Sequence, residues 1–222
     1  MSDEAVSDSE VSEPDEPRPS QTRRSADTRA RIVAAAVNCV DEHGFPNATF
    51  QRVARGAGVT VGAVQHYFSS KEEVLSAVLE DSFQHLTHCF DDVSLEELTK
   101  LPLRERVSIF VDRVWLHCSS PTYRSTIQIL LSSRSEVGQS RGHWSDPSMN
   151  EATAQALEWW RSIFSDLEIG EEKHAEMLRF VVSSLGGLAI VDRLAPNPDG
   201  MGAQLAHVKD QVSASFEAAA RA

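Results

Sequence analysis

The chain has 222 residues and a formal net charge of -12 at pH 7, and 41% of its residues are hydrophobic and 24% charged. These proportions are typical of a globular protein, and the length suffices for one large domain or two small ones. No apolar run approaches the ~18 residues that a membrane span requires, and the first residues are acidic, so we expect neither a span nor a signal peptide. Three cysteines, Cys39, Cys89 and Cys118, are too few for a disulfide framework and favour a reducing cytoplasm.

The charge is unevenly distributed along the chain. Residues 1–17 carry seven acids and no base, whereas residues 18–71 carry eight Lys or Arg against three acids. Residues 72–222 carry 13 bases against 23 acids. A net charge of -12 taken alone argues against a protein that binds polyanions, because phosphate binding is driven by basic surface. The distribution instead indicates one basic region between two acidic flanks.

Residues 1–24 are rich in Ser, Pro, Asp and Glu and contain only two aliphatic side chains larger than alanine. Such a segment cannot bury enough apolar surface to offset the entropy lost on ordering. We therefore predict a disordered tail that ends at Arg24.

From Ser25 onward, apolar residues recur at helical spacing. A first helix is predicted to end at Gly44, and short second and third helices are predicted to begin after the N-cap residues Thr49 and Thr60. Residues 69–73 (SSKEE) offer two registers of a capping box, Ser69 with Glu72 or Ser70 with Glu73, and open a long fourth helix.

Five further helical stripes follow, separated by Pro102, by a Gly/Ser/Pro loop at residues 138–148 and by residues 196–198 (PNP). Residues 174–194 are apolar almost all round, which predicts a helix buried on more than one side. We find no alternating strand of convincing length and no internal repeat. The sequence therefore predicts an all-α protein of about nine helices.

The residues between the second and third helices indicate a more specific fold than an all-α protein. Gly58 can adopt the left-handed conformation that ends a helix sharply, and Ala54 is small enough for two helices to cross closely. Val59 and Val64 would close the core under that crossing. This is the pattern of a helix-turn-helix, in which the second helix lies in the major groove of DNA.

The sequence resembles the TetR family of bacterial transcriptional regulators. The resemblance rests on residues 32–36 (IVAAA) with Gly44, on residues 49–58 and on residues 64–75 (VQHYFSSKEEVL), and it covers roughly residues 28–80. The remainder matches the family only in length and helix count. The resemblance implies a helix-turn-helix DNA-binding domain at residues 25–71 and a larger helical ligand-binding and dimerisation domain at residues 72–222.

The resemblance also implies a function and a set of DNA contacts. It implies a cytoplasmic, homodimeric, non-enzymatic regulator without a cofactor that a small-molecule effector releases from a palindromic double-stranded DNA operator. We expect a repressor, and an activator is the alternative. Base contacts come from the early residues of the recognition helix, and phosphate contacts come from residues around it. The implied set is Thr49, Arg52, Thr60, Val61, Ala63, Gln65, His66, Tyr67 and Lys71.

Three of these assignments have alternatives. Gln65 departs from the family, which usually places Tyr at this position; because Gln can pair with adenine, we expect altered sequence choice rather than lost binding. Tyr67 could instead pack beside the first helix, and Lys71 could be an exposed charge without a partner. The tail arginines Arg18, Arg23 and Arg24 either reach a minor groove as a flexible arm or stay solvated.

A homodimer follows from two arguments. Groove-reading modules of this size usually bind two half-sites related by two-fold symmetry. Each glycine of the pair Gly186 and Gly187 costs ~1 kcal/mol in a helix interior, and close helix packing would offset this cost. The alternative is that both helices pack within one chain. The predicted interface comprises Arg179, Val182, Ser183, Gly186, Ala189, Ile190, Arg193, Leu205, Val208 and Val212.

In the family the middle helices surround a ligand cavity. Arg134 continues an apolar stripe, and a buried cation requires an anionic partner, either a ligand carboxylate or a protein acid such as Glu158. The other candidates are equally explained as ordinary core. The candidate lining residues are Trp115, Cys118, Ile127, Leu131, Arg134, Trp159 and Ile163. The sequence does not name the effector.

Two other functions have sequence support. His85, His88 and Cys89 share one helical face, and imidazole and thiolate at these spacings suit zinc or copper, so a metal- or thiol-sensing regulator is an alternative. Residues 138–142 (GQSRG) match the letters of an esterase motif centred on Ser140, but that motif functions only on a strand-to-helix elbow. A hydrolase is therefore a remote alternative.

Overall fold

A computed structural model describes residues 21–136, 147–196 and 199–219, with side chains described at residues 22–132, 154–196 and 199–219. Its regular structure consists of ten α-helices and one short 3-10 helix at Phe45–Asn47, and no strand occurs in these ranges. The helices are α1 (Gln21–His43), α2 (Phe50–Ala57), α3 (Val61–Tyr67), α4 (Lys71–Thr87), α5 (Leu95–Thr99), α6 (Leu103–Cys118), α7 (Pro121–Glu136), α8 (Pro147–Ile163), α9 (Glu171–Leu194) and α10 (Gly202–Ala219).

The all-α prediction is confirmed, but the start of the first helix and the number of helices differ from the predicted ones. Helix α1 begins at Gln21, so residues 21–24 form its first turn rather than the end of a tail. These four side chains are polar, and a solvent-exposed helical extension leaves no apolar periodicity in the sequence. The predicted count of nine helices is one short of the ten described here, because five-residue α5 is too short to show a helical period.

Side-chain caps fix the starts of the N-terminal helices. The Oγ1 atoms of Thr49 and Thr60 accept hydrogen bonds from the backbone N–H groups of Arg52 (3.4 Å) and Ala63 (3.1 Å). The register of the capping sequence before α4 is the second one predicted. Ser70 Oγ accepts from the Glu73 N–H at 3.2 Å, and Glu73 Oε2 accepts from the N–H of Ser69 at 2.6 Å. Each cap satisfies donors that a helix start otherwise leaves unpaired.

The turn between α2 and α3 is closed by Gly58, whose φ of 63° and ψ of 37° lie in the left-handed region. The N–H of Val59 donates to the carbonyl of Ala54 at 3.0 Å, and the N–H of Gly58 donates to that of Arg55 at 3.2 Å. This pair of bonds is the Schellman motif, which satisfies the last carbonyls of a helix and turns the chain sharply. The sharp turn sets the crossing of α2 and α3.

Two hydrophobic cores divide the described residues: the first extends past Lys71 into α4 and α7, and the second lies wholly within residues 72–222. The first core joins α1, α2 and α3 to the first half of α4, through Val74, Leu75 and Val78, and to Ile129 of α7. The second core joins α6, α8, α9 and α10 around a group of stacked aromatic rings. Helices α4 and α7 therefore belong to both halves of the molecule.

Helix α9 is buried on one side only, which corrects the prediction that it is buried on more than one. Val181, Leu185 and Ala189 face the second core. The opposite side exposes Phe180, Val182, Ile190, Val191 and Leu194, of which Leu194 is 80% exposed. Within a single chain this apolar face has no cover among the described residues.

Replacement of Gly58 by alanine tests the turn. We expect Gly58→Ala to lower the free energy of unfolding by about 1–2 kcal/mol, because a Cβ atom is strained by about that amount in the left-handed region. Gly62→Ala is the matched control: Gly62 lies within α3 and its nearest neighbour to an added Cβ is Thr60 Oγ1 at 3.9 Å. The control should gain up to ~1 kcal/mol. Urea unfolding of both variants measures the difference, and equal changes would contradict this description of the turn.

Candidate nucleic-acid interface and pocket

The second helix of the helix-turn-helix, α3, presents its early polar residues to solvent. Thr60, Gln65 and His66 are exposed, and Val61 and Ala63 are half-buried. Val64 and Phe68 face inward and are buried in the first core. Thr60, Gln65 and His66 therefore lie on the outer side of α3, whereas Val61, which was also predicted to read bases, packs against the first core.

Basic residues surround this outer side. Arg52 and Arg55 of α2 are exposed, and Arg52 Nη1 donates to the carbonyl of Asn47 at 3.4 Å. Arg31 of α1 reaches the turn, where its guanidinium donates to the carbonyl of Ala57. Arg31 and Arg55 were not among the predicted DNA contacts, because the resemblance assigns that role to fewer positions. In the sequence, these two arginines are indicated only by the positive charge of residues 18–71.

Two predicted phosphate contacts make hydrogen bonds within the chain. The Tyr67 hydroxyl lies 3.2 Å from the Ser25 hydroxyl, and the Tyr67 ring packs against the first core. Lys71 Nζ donates to the carbonyl of Phe45 at 3.0 Å and lies 4.5 Å from the centroid of the Phe45 ring. Both side chains hold α3 and α4 against preceding parts of the chain, and their role toward phosphate stays a prediction.

The metal alternative is not supported. Within the described residues, no group of three His, Cys, Asp or Glu side chains could hold a metal ion. Each proposed ligand bonds to its own helical neighbourhood instead: His85 Nδ1 lies 2.7 Å from the carbonyl of Asp81, and His88 Nδ1 lies 2.8 Å from Asp91 Oδ2. Cys89 Sγ donates to the carbonyl of His85 at 3.4 Å.

The thiols nearby are poorly suited to redox sensing. Burial raises the pKa of Cys89 to about 11 and that of Cys118 to about 12, so both remain protonated at neutral pH. Burial likewise lowers the pKa of His117 to about 4, which keeps this imidazole neutral. The alternative hydrolase motif lies outside the described residues, which contain no strand that could form its elbow.

A pocket of about 210 Å³ lies between α7 and α9. Most of its lining surface is apolar, and three side chains bring nitrogen donors to it. None of the nine described residues that line it is acidic. The lining residues are Tyr123, Arg124, Ile127, Gln128, Leu131, Ala189, Ile190, Arg193 and Leu194.

Two of the seven predicted ligand residues, Ile127 and Leu131, line this pocket. Cys118, Trp159 and Ile163 are instead buried in the second core, and Trp115 packs against it. The side chain of Arg134 lies outside the described residues. The guanidinium groups at the pocket are those of Arg124 and Arg193, which the apolar periodicity of the sequence did not single out.

The predicted interface residues divide into exposed and buried groups. Arg179, Val182, Ser183, Ile190 and Arg193 are exposed on α9. The remaining residues pack within the chain, because α9 and α10 share the second core: Leu205 is half-buried, and Gly186, Ala189, Val208 and Val212 are buried.

An ion-pair cluster joins the pocket to α1. Arg124 donates to Asp41 in a two-pronged pair, Nε to Oδ1 at 2.9 Å and Nη2 to Oδ2 at 2.7 Å. Arg193 Nη2 donates to the Asp41 carbonyl at 3.3 Å, and its Nε lies 3.9 Å from Asp41 Oδ1. Beside them the buried Ser125 hydroxyl donates to the carbonyl of Val37 at 2.8 Å. Helix α1 is thus fastened to α7 and α9 where the pocket lies.

The position of Tyr123 explains why residue 186, in the middle of α9, is a glycine. A Cβ atom at Gly186 would lie 2.6 Å from the Tyr123 hydroxyl, so only glycine leaves room for this ring. The Tyr123 ring also packs edge-on against His117, with ring centroids 5.3 Å apart. Gly187 has no neighbour within 4 Å of its Cβ position and faces solvent.

These features define a helix-turn-helix protein whose N-terminal helices pack against a larger helical part of the chain. Residues 32–78 match the family model described as bacterial regulatory proteins, tetR family. An uncharacterised HTH-type transcriptional regulator, TtgW of Pseudomonas putida, is 51% identical over 59 residues, which are 27% of this chain and 43% of that protein. The chain thus matches less than half of the length of this curated relative.

Solved structures resemble a larger part of the chain. A putative TetR-family regulator from Mesorhizobium loti superposes with a TM-score of 0.64 at 15% identity, covering 88% of this chain and 96% of that one. The FadR regulator of Bacillus subtilis, in complex with stearoyl-CoA, superposes with a TM-score of 0.54 at 16% identity, covering 84% of this chain and 96% of that one. At these identities the likeness establishes the fold.

The similarity to the tetR family of bacterial regulatory proteins lies in the N-terminal helices, at residues 32–78. Within the described residues, every helix is too short or too polar to cross a lipid bilayer.

The fit of Tyr123 against α9 can be tested by substitution. We expect Gly186→Ala to lower the free energy of unfolding by about 1–3 kcal/mol, because its Cβ would overlap the Tyr123 hydroxyl. Tyr123→Phe in the same chain should restore most of that loss, since the nearest remaining ring atom lies 3.7 Å away. Gly62→Ala is the control, because an added Cβ there has no neighbour closer than 3.9 Å, and it should not lower stability. Chemical unfolding measures all four; a Gly186→Ala protein as stable as the control would contradict the contact.

Proposed function

We propose that this protein is a ligand-responsive transcriptional repressor that acts in the cytoplasm. As a homodimer it binds a near-palindromic DNA operator and is released by a small-molecule effector. The proposal rests on the outer side of α3, where exposed polar residues lie near the arginines of α2 and α1. The Thr60 side chain caps the start of this helix. Phosphate contacts from the arginines would fix orientation, and the α3 residues would read base edges.

The charge distribution supports a local rather than a general affinity for DNA. Residues 18–71 have five more bases than acids, whereas residues 72–222 have ten more acids than bases. An acidic body repels the DNA backbone outside the contact region. Binding then occurs mainly where base contacts add to the phosphate contacts.

The exposed face of α9 supports the homodimer. Phe180, Ser183, Gly187, Ile190 and Leu194 follow one another at helical spacing on this face, over about 21 Å of helix. An apolar stripe of this length in solvent marks a protein interface. A two-fold contact through α9 would place two recognition helices on one side of the molecule, as half-sites ~34–36 Å apart require.

Release would follow from a shift between two conformations. An effector that binds the helical body better in one conformation raises the population of that conformation. Because α4 and α7 belong to the first core and also contact helices of the second, a change of their packing would alter the position of α3 and hence the separation of the two recognition helices. A displacement of several ångströms would detach one half-site.

DNA binding can be tested on the region upstream of the protein's own gene. We expect footprint protection of a near-palindromic site at micromolar protein or below and low salt. Gln65→Ala should weaken operator binding by about 1–3 kcal/mol and leave non-specific binding unchanged, because it removes a base contact. Arg52→Ala should weaken both and lower the salt slope by about 1, because it removes a phosphate contact.

Arg104→Ala is the matched control for loss of an exposed arginine, since Arg104 lies on α6 and pairs with Asp210 of α10. It should leave DNA binding unchanged. If micromolar wild-type protein leaves the upstream region unprotected, DNA binding at this site is contradicted; if Gln65→Ala weakens all DNA equally, base reading by α3 is contradicted.

A further inference from the structure

The pocket between α7 and α9 combines an apolar wall with two guanidinium groups. Ile127, Leu131, Ile190 and Leu194 provide aliphatic surface, and Arg124 and Arg193 lie in the same lining. A volume of about 210 Å³ accommodates on the order of seven to ten non-hydrogen atoms. Ile190 and Leu194 also end the exposed α9 face proposed as the dimer contact, so the pocket would lie at the C-terminal end of that contact, and its volume suits a small molecule.

The two arginines differ in how firmly they are held. Arg124 forms the two-pronged pair with Asp41, and its side chain is 24% exposed. Among the described residues, Arg193 makes the 3.3 Å bond to the Asp41 carbonyl and a 3.9 Å approach to its carboxylate, and its side chain is 55% exposed. Its planar guanidinium has five donors, so most of them remain for another acceptor.

The charges around the pocket favour an anion. Asp41 pairs with Arg124 but is not among the lining residues. Asp192 acts on Arg124 electrostatically, and no ion pair of 4 Å or less joins the two among the described residues. A carboxylate pairs with arginine through two parallel hydrogen bonds, and the adjacent apolar wall strengthens that attraction by excluding water. An alcohol lacks the charge for such a pair and would gain little.

We propose that this pocket binds a small organic carboxylate with an apolar body, whose carboxylate competes with Asp41 for Arg193 and Arg124. This inference rests on the proposed function and specifies its effector. Occupation of the pocket would weaken the junction between α1 and α7, which positions the DNA-binding helices. By linkage, DNA binding and carboxylate binding would weaken each other by the same factor.

The competition can be measured without DNA by titrating the full chain with octanoate and with octan-1-ol in a calorimeter. Octanoate should bind at least about tenfold more tightly than octan-1-ol, because only the carboxylate forms charge-assisted bonds to arginine. Arg193→Gln should remove most of this difference. Asp41→Asn should raise octanoate affinity by about tenfold, because it removes the internal competitor.

Two further variants make the result specific. Asp92→Asn is the matched control, since Asp92 pairs with Arg113 of α6 and neither residue lines the pocket. It should leave octanoate affinity unchanged. Ile127→Trp fills the pocket without altering a charge and should abolish octanoate binding. Circular dichroism and thermal unfolding establish that each variant is folded.

The outcomes separate this inference from the proposed function. Equal affinities for octanoate and octan-1-ol, unchanged octanoate binding by Ile127→Trp, or no gain in a folded Asp41→Asn protein would each overturn the carboxylate site. None of these results affects operator footprinting. Conversely, an absent footprint with the predicted octanoate binding would overturn the repressor proposal and leave the pocket assignment standing.

Discussion

The ion pair between Asp41 of α1 and Arg124 of α7 is the contact on which the arrangement of this molecule depends. Its two hydrogen bonds are 2.9 and 2.7 Å long, and the Asp41 side chain is 13% exposed. A charge held this far from water requires its partner, so loss of either residue leaves an unpaired charge near the core. The adjacent bond from Ser125 to the Val37 carbonyl fixes the same two helices.

This junction explains why the two halves of the chain act as one body. The first core takes Ile129 from α7 and Val74, Leu75 and Val78 from α4, so the DNA-binding helices do not form an independent unit. A change in the second half then reaches α3 through packed helices rather than through a flexible linker. The pocket lies at the same place, because Arg124 belongs both to its lining and to the junction.

The sequence predicted the helix-turn-helix well because the determinants there are local. Thr49, Gly58 and Thr60 each act on a backbone group within five residues, so spacing alone reveals caps and turn. The division of α3 into an inner and an outer side follows equally from helical periodicity. The start of α1 at Gln21 was missed because polar exposed turns leave no periodic signal.

The pocket between α7 and α9 could be predicted only in part, because the residues that form it are far apart in sequence. Ile127 and Leu131 were found as members of an apolar stripe, but Arg124 and Arg193 gain their meaning only from Asp41, which lies 83 positions from Arg124. Val208 and Val212 show the same limit: periodicity identified a buried face but not whether another helix of the same chain buries it. Tertiary packing decides which distant elements contact one another, and the spacing of residues in a single sequence does not reveal it.

A double-mutant cycle on operator affinity tests the central claim, that the Asp41–Arg124 junction holds the DNA-binding helices in their binding position. The measured quantity is the free energy of operator binding for wild type, Asp41→Asn, Arg124→Gln and the double variant. The account predicts that each single variant binds more weakly and that the double variant loses no more than either, with a coupling of about 1 kcal/mol or more. Losses that add within about 0.5 kcal/mol, or unchanged affinity in all three folded variants, would contradict it.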